Sequence, residues 1–195
     1  FIFILVLFIY IHINFQLKTS NDFELFELTD ITKDKLEEVC DLKQPLVFQV
    51  NIENLEDFKI ENLVKKYGSF EINLRNKKNN DKKSEIYLPI KLSSGIDVLT
   101  HDKDENFYSE NNEEFIRETS LIKTIKSNDG YFRPPMLMNY SYDLILGANN
   151  TTTFLKYNLD YRNFFIILEG EIDLKVAPPK SSKYLNVEKD YDNFE

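Results

Sequence analysis

The stretch TTTFLKYNLDYRNFFIILEGEIDLKVAPP, residues 151–179, gives the clearest indication of the fold in this chain. Its second half contains two apolar segments joined at Gly170, and a Pro-Pro pair ends the second segment. Gly170 can supply the positive φ that a tight hairpin needs, because it has no Cβ. The residues themselves therefore predict a buried β-hairpin over 162–177.

Four short motifs follow one another in this stretch. They are Thr-Phe-Leu-Lys-Tyr-Asn at 153–158, Asn-Phe-Phe at 163–165, Gly170, and Ala-Pro-Pro at 177–179. This order resembles the JmjC-like branch of the cupin superfamily, in which a Thr-Pro-x-His-x-Asp strand leads into Asn-Phe-Phe, a hairpin glycine and Phe-Pro-Pro. The resemblance covers about 133–184, and LKQPLVF at 42–48 is similar to the family's lead-in.

The resemblance implies an α+β fold class, namely a partial cupin (double-stranded β-helix or jelly roll) preceded by a mixed helix–strand region. The JmjC-like domain is expected over 20–195, with the lead-in at 20–130 and the first part of the β-barrel at 131–195. The chain starts inside an apolar run and stops after an acidic one, so we expect truncation at both ends. An open sheet edge is expected near the hairpin, because the chain supplies about half of the strands that close such a barrel.

Hydrophobic periodicity in the lead-in predicts short helices and strands. Helices are predicted at 30–42, 55–68, 93–104 and 111–130, and strands at 23–28, 45–52, 70–75 and 86–92. Thr32 is one of three residues that can cap the first helix, serine is expected to cap the third, and Asn111 or Asn112 the fourth. Pro89 makes its strand an edge strand, because proline donates no ladder hydrogen bond.

Active members of the JmjC-like family are Fe(II)- and 2-oxoglutarate-dependent oxygenases, which hold iron with two imidazoles and one carboxylate. By family position the first histidine falls on Lys156 and the carboxylate on Asn158. The lysine that pairs with 2-oxoglutarate falls near Ile172, whereas Thr153 matches the family's threonine. The pocket-lining residues that the resemblance implies are Thr153, Lys156, Asn158, Asn163 and Ile172. We therefore predict no catalytic residue, no metal ligand and no cofactor.

Histidine is too scarce for an ordinary iron site. The two histidines are His12, in the apolar run, and His101, in a predicted helix far from the motif. Lys156 is open to three interpretations: an anion-binding group, a lysine paired with Glu169 or Glu171, or a solvated lysine.

An apolar run, FIFILVLFIYIHINF, occupies residues 1–15. No small-residue cleavage site follows it, which favours an uncleaved single-pass membrane anchor over 1–17 rather than a signal peptide; a buried strand is the remaining alternative. The acidic residues that follow the run favour a non-cytosolic location for the domain.

Charge, cysteine content and the absence of known motifs argue against several other classes of protein. The chain has 24 Lys+Arg against 33 Asp+Glu and a net charge of -9, so a nucleic-acid partner is not expected. Cys40 is the only cysteine, which rules out an intrachain disulfide, and it falls on the apolar side of a predicted helix. No P-loop, dinucleotide fingerprint, nucleophile elbow or zinc spacing is present.

Three functional hypotheses remain open. The first is a membrane-anchored, JmjC-related cupin-like domain without a working iron site, which acts as a binding or scaffold module for an unidentified protein or small molecule. The alternative is an Fe(II)/2-oxoglutarate-dependent oxygenase of the hydroxylase or demethylase type, with unusual ligands completed by further C-terminal sequence. The third is a structural or interaction protein. The sequence leaves open whether the protein is an enzyme.

Overall fold

The computed structural model describes residues 1–17 (backbone only at 15–17), 19–22, 24–29, 31–53, 55–78, 87–135, 137–156 and 160–185. The architecture is mixed α+β, as expected, with one two-stranded and one four-stranded sheet. The chain divides into two units that we describe separately. The first, the amino-terminal unit, comprises Phe1–Asn51, Leu159–Ile166 and Glu171–Glu195, and the second, the sheet unit, comprises Ile52–Asn158 and Ile167–Gly170.

The amino-terminal unit contains two α-helices, a pair of short strands and a 3₁₀ turn. Its elements are α1 (Ile2–Leu17), β1 (Phe26–Leu28), α2 (Lys33–Cys40), β2 (Leu46–Phe48) and the 3₁₀ turn Pro179–Tyr184. The strands β1 and β2 pair in parallel, with Phe26 opposite Leu46. The expected cap of α2 is confirmed, because the Thr32 side chain accepts a hydrogen bond from the Lys35 N–H.

The prediction of a membrane anchor over 1–17 is wrong. Helix α1 is apolar but has 16 residues, which corresponds to about 24 Å at 1.5 Å per residue, against a hydrocarbon core of about 30 Å. Across the part of the chain that the structure describes, no helix combines the length and apolarity that crossing a bilayer requires. We therefore also withdraw three predictions that depended on the anchor. They are the single-pass membrane location, the non-cytosolic side of the domain and the membrane as a partner.

The sheet unit carries the larger sheet and most of the helices. Its elements are a 3₁₀ turn (Leu55–Phe58), α3 (Ile60–Tyr67), β3 (Glu71–Asn76), β4 (Leu88–Lys91), α4 (Leu92–His101), β5 (Phe107–Ser109), α5 (Glu113–Glu118), α6 (Leu121–Asn128), a second 3₁₀ turn (Asp129–Tyr131) and β6 (Leu146–Gly147). The strands run antiparallel in the order β4-β3-β5-β6. The edge position expected from Pro89 is confirmed, because β4 is the terminal strand of this sheet in the part of the chain that the structure describes.

The core of the sheet unit lies between one face of β3 and the surrounding helices. Ile72 and Leu74 alternate into the core, as the sequence pattern predicts, and α4 approaches closely at Gly95. A Cβ at Gly95 would lie 2.7 Å from Ile72 Cδ1, so only glycine fits without a shift. The buried cluster consists of Phe58, Leu63, Ile72, Leu92, Phe115, Ile116, Leu121 and Leu144.

Two helix predictions differ from the structure. The long helix expected over 111–130 is divided into α5 and α6 at Ser120, whose positive φ of 59° interrupts the helical backbone. Helix α4 begins directly after β4 at Leu92 and has no side-chain cap, so the expected serine cap is also wrong.

The β-hairpin predicted over 162–177 does not form. Gly170 has the expected positive φ of 82°, but the described residues 160–178 contain no strand. Most apolar side chains of this segment, among them Phe165, Ile172 and Val176, are exposed, whereas Phe164 and Leu168 are partly buried. A strand needs a neighbouring backbone with which to form a hydrogen-bond ladder, and alternation alone does not supply one. Of the barrel strands expected at 131–195, the described residues contain only β6.

Candidate functional site

One face of the four-stranded sheet carries polar side chains. Alternate residues of a strand point to the same side, so Glu71, Asn73 and Arg75 of β3 share the face opposite Ile72 and Leu74. The register places Pro89 of β4 opposite Asn73 and Tyr108 of β5 opposite Arg75. We call the surface formed by Glu71, Asn73, Arg75, Pro89 and Tyr108 the polar face.

At one end of the polar face lies a cavity of about 330 Å³. Three carboxylates line it, from Glu71 of β3 and from Glu114 and Glu118 of α5. Glu114 and Glu118 are four residues apart on a helix, so they lie on the same side of α5. We call this space the acidic cavity, because its lining includes three acids and no base.

Aromatic and amide groups complete the lining of the acidic cavity. The two aromatic residues are Phe70, which precedes β3, and Phe115, which is buried. The two amides are those of Asn73 and Asn112. The cavity thus combines negative charge with aromatic rings, a combination that suits a cationic group.

Asn112 fixes the local geometry of the cavity wall. Its side chain is buried, with the residue 1% exposed, and it accepts the Asn73 N–H at 2.8 Å. It donates to Ser109 Oγ at 2.8 Å and to the Leu144 carbonyl at 2.6 Å. Asn112 stands at the N-cap position of α5 but makes no capping hydrogen bond with its side chain, contrary to the sequence expectation. It joins β3 and β5 to the segment before β6 instead.

At the other end of the polar face, three donors meet one carboxylate oxygen. Glu110 Oε1 accepts from Lys156 Nζ at 2.7 Å, from Tyr87 OH at 3.0 Å and from Arg75 Nη1 at 3.3 Å. The side chains of Glu110 and Arg75 are each 10% exposed, whereas that of Lys156 is 45% exposed. We call these four residues the Glu110 cluster. It contains two cations and one carboxylate.

Aromatic rings surround the guanidinium of the Glu110 cluster. Arg75 Cζ lies 5.7 Å from the ring centroid of Tyr87, 5.9 Å from that of Tyr108 and 5.8 Å from that of Phe154. Removing either partner of a buried ion pair leaves an uncompensated charge, which is strongly destabilising. The Glu110 carboxylate and the three neighbouring rings together stabilise the position of Arg75.

The structure places the residues implied by the family resemblance as follows. Lys156 belongs to the sheet unit, where its Nζ pairs with Glu110, a partner that the sequence did not indicate. Thr153 is an exposed residue of the same unit. Asn163 and Ile172 are exposed residues of the amino-terminal unit, and Asn158 lies outside the described residues.

Sequence reasoning missed most of the residues that form this site. The alternation of β3 identifies Glu71, Asn73 and Arg75 as sharing one side of a strand, but it does not indicate what they face. Glu110 directly follows β5 and is separated from Lys156 by 46 positions, so no local motif links them. The i, i+4 spacing of Glu114 and Glu118 was the one available signal for the cavity.

The positions expected to hold iron do not fit the metal. An ammonium that donates to a carboxylate at 2.7 Å cannot replace an imidazole ligand. Among the described residues, no group of three or more His, Cys, Asp and Glu side chains converges as a metal site. His12 stacks edge-on with Phe8, and His101 is the last residue of α4. We therefore derive no chemistry through iron or 2-oxoglutarate.

In the amino-terminal unit, a largely buried arginine spans two acids of the α2 region. Arg162 donates through Nη1 to Glu37 at 2.7 Å and through Nη2 to Asp41 at 3.2 Å. Cys40 is half-buried nearby; burial raises the pKa of its thiol, and Arg162 partly offsets that effect. A thiol with a raised pKa is a weak nucleophile at neutral pH. This cluster fastens residues 160–162 to α2.

A third polar cluster follows α6 in the sheet unit. Asp129 accepts hydrogen bonds from the Tyr142 hydroxyl and the Arg133 guanidinium, and Arg133 also contacts the Tyr142 oxygen at 3.3 Å. Burial, followed by the hydrogen bond to Asp129, raises the pKa of Tyr142 to about 12. The cluster joins the end of α6 to the segment that leads into β6.

Comparisons of this chain with protein-family models, with curated proteins and with solved structures gave no match. The functional inference therefore comes from the acidic cavity.

Proposed function

We propose that the sheet unit binds a ligand that places a positively charged amine or guanidinium group in the acidic cavity. The observation that carries this proposal is the lining of one 330 Å³ cavity by Glu71, Glu114 and Glu118 together with two phenylalanines. A volume of this size is at the lower end of small-molecule sites, so it suits a small cation or one basic side chain of a peptide.

The physical basis is electrostatic. Carboxylates attract the cation, and the partly exposed ring of Phe70 can add cation–π attraction, whereas Phe115 is buried and supplies an apolar base. The net charge of -9 raises the local concentration of cations around the chain. Because Glu71, Glu114 and Glu118 are exposed, salt screens their attraction, and we expect binding to weaken as ionic strength rises.

The wall of the cavity is fixed before a ligand arrives. Asn112 is fully hydrogen-bonded, and Asn73 is held both by Asn112 and by the Asn111 carbonyl, which accepts the Asn73 amide at 2.6 Å. A fixed site loses less conformational entropy on binding than one that must be ordered by its ligand.

The test is a calorimetric titration of the 195-residue chain with N-acetylargininamide, a small monocation, at low ionic strength. Replacing Glu114→Gln and Glu118→Gln together should weaken binding roughly threefold to tenfold, since each exposed ion pair contributes about 0.2–1 kcal/mol. The matched control is Glu113→Gln on the same helix, because the Glu113 carboxylate pairs with Arg117 and does not line the cavity.

Two results would overturn the proposal. One is the absence of saturable binding to the unmodified chain. The other is a loss of binding free energy that, per charge removed, is the same for the Glu113→Gln control as for the double replacement, which would show only a loss of overall negative charge.

The finer fold assignment is a separate proposal. Its support is the order of motifs at 153–179, which is similar to that of JmjC-like cupins, together with an antiparallel sheet in an α+β unit. It would be supported by an experimental structure in which β3–β6 are part of a double-stranded β-helix. An experimental structure in which this sheet has no second sheet facing it would refute it.

A further inference from the structure

We propose that residues 171–177 of the amino-terminal unit pair with the same residues of a second copy of this chain. The two copies form an antiparallel β-ladder related by a two-fold axis through Leu174. This pairing uses no residue of the acidic cavity and is therefore independent of the proposed function.

The backbone of the 171–177 segment has unused hydrogen-bonding groups. In the part of the chain that the structure describes, none of its N–H or C=O groups takes part in a backbone hydrogen bond, and no helix, strand or turn includes them. All residues of the segment are exposed. A row of unpaired N–H and C=O groups is a template on which a further strand can form.

The side chains of the segment alternate as they do in a strand with one apolar face. Ile172, Leu174 and Val176 share one side of an extended backbone, and they are 50%, 57% and 63% exposed. Asp173 and Lys175 share the other side, and neither forms an ion pair with a residue that the structure describes. Pairing with a second copy therefore removes apolar surface from water without separating an existing ion pair.

The charges of the segment favour a second copy as its partner. With the two-fold axis at Leu174, Asp173 of each copy lies opposite Lys175 of the other, so two opposite-charge pairs form on one face. On the other face Ile172 lies opposite Val176 twice, and Leu174 meets its own counterpart. Opposite-charge and apolar cross-strand pairs both stabilise a ladder.

Other registers bring like charges or unlike surfaces together. A parallel, in-register pairing sets every charged residue opposite itself, and an antiparallel pairing centred on Asp173 sets two aspartates opposite each other. Antiparallel pairings centred on Ile172 or Lys175 also create like-charge pairs. A slip by one residue places charged side chains opposite apolar ones. The register centred on Leu174 avoids both faults.

The ladder is short, so the dimer is weak. Gly170, with a φ of 82°, precedes the segment, and Pro178, which has no N–H to donate, follows it. An interface of one short strand per copy is at the lower end of specific interfaces, and we expect a Kd of about 10–100 μM. At concentrations well below this Kd the segment stays exposed in the monomer.

The test is sedimentation equilibrium of the 195-residue chain at low ionic strength, over about 1–300 μM. Asp173→Lys and Lys175→Asp should each raise the Kd of the dimer about tenfold or more, because each turns both opposite-charge pairs into like-charge pairs. A mixture of the two variants should associate as tightly as the unmodified chain, since opposite charges then meet between unlike copies. A chain that carries both replacements should also dimerise.

Overall charge does not produce this pattern. Asp173→Lys lowers the net negative charge and Lys175→Asp raises it, so a non-specific effect would move the two variants in opposite directions. The matched control is Glu24→Lys, at an exposed position of the same unit, which changes the charge as Asp173→Lys does and should leave dimerisation unchanged. Circular dichroism of each variant should match that of the unmodified chain.

Any of three results would refute the pairing. One is an unmodified chain that stays monomeric at about 300 μM. Another is equal self-association of the unmodified chain and both single variants, which would place the contact on a different exposed apolar surface, such as that of α1. The third is that neither the mixture nor the double replacement restores the dimer, which would exclude the register centred on Leu174.

Discussion

Two segments with similar apolar alternation have different structures. The segment FEINLR at 70–75 contains most of β3 and places Ile72 in the core with 2% exposure. Neighbouring strands pair with β3 on both of its edges. In EIDLKV, Ile172 stands in the same kind of alternation but is 50% exposed, and no strand is present among the described residues 160–178. The local patterns are nearly equivalent, and the surroundings of the two segments are not.

The difference shows that alternation specifies which side chains share a face but not whether that face is covered. β3 has β4 and β5 as hydrogen-bonding neighbours and α4 against Ile72, so its apolar side chains leave water. Residues 171–176 lack a ladder, and their apolar side chains stay in contact with water. Matched variants extend this comparison, each pairing a residue that packs in the sheet unit with an exposed residue of the same type in the amino-terminal unit.

The largest expected effect comes from a pair of isoleucines. Ile72→Ala removes core packing and should lower the free energy of unfolding by about 3–4 kcal/mol. Ile172→Ala removes a half-exposed side chain and should change it by less than about 0.5 kcal/mol. Urea unfolding followed by circular dichroism measures both. Equal losses would show that 171–176 is packed in solution and would break the comparison.

A pair of asparagines should give the next largest effect. Asn112→Ala leaves the Asn73 N–H, the Ser109 hydroxyl and the Leu144 carbonyl without their shared partner, and should cost about 2 kcal/mol. Asn163→Ala, at an exposed position, should be close to neutral. The same urea titration applies, and a neutral Asn112→Ala would refute the role of Asn112 in fixing the cavity wall.

The smallest effect concerns alkaline stability and a pair of tyrosines. The folded-state pKa of Tyr142 is about 12, above the ordinary value of about 10, so its contribution to stability is complete below pH 10 and is lost as the pH rises through 12. Tyr142→Phe should therefore lose less stability between pH 10 and 12 than the unmodified chain. Tyr184→Phe, at an exposed position, should reproduce the unmodified profile. Identical profiles for all three proteins would contradict the Asp129 hydrogen bond.

Much of the sheet unit follows from local sequence. The alternation of β3 and the edge position of β4 depend on residues within a few positions of each other, and so does the Thr32 cap in the other unit. The hairpin was mispredicted because strand pairing requires a partner that no local pattern specifies. The anchor over 1–17 was mispredicted because the helix that forms there, although apolar, has 16 residues and is too short to cross a bilayer.

The candidate site was less predictable than the fold. Lys156 was identified by its place in a family motif, but its partner Glu110 is 46 positions away and was not. The acidic cavity draws on β3, β4 and α5, so it exists only after those elements have packed. Charged residues in a sequence are usually solvated, and only their convergence in three dimensions distinguishes a site.

The most direct test of the central claim, that the acidic cavity of the sheet unit is the binding site, is an NMR titration of the ¹⁵N-labelled chain with N-acetylargininamide. We predict chemical-shift changes at the backbone amides of 69–73 and 112–118, with those of 163–177 unchanged. Shift changes concentrated in 163–177, or none at the acidic cavity at saturating ligand, would contradict it.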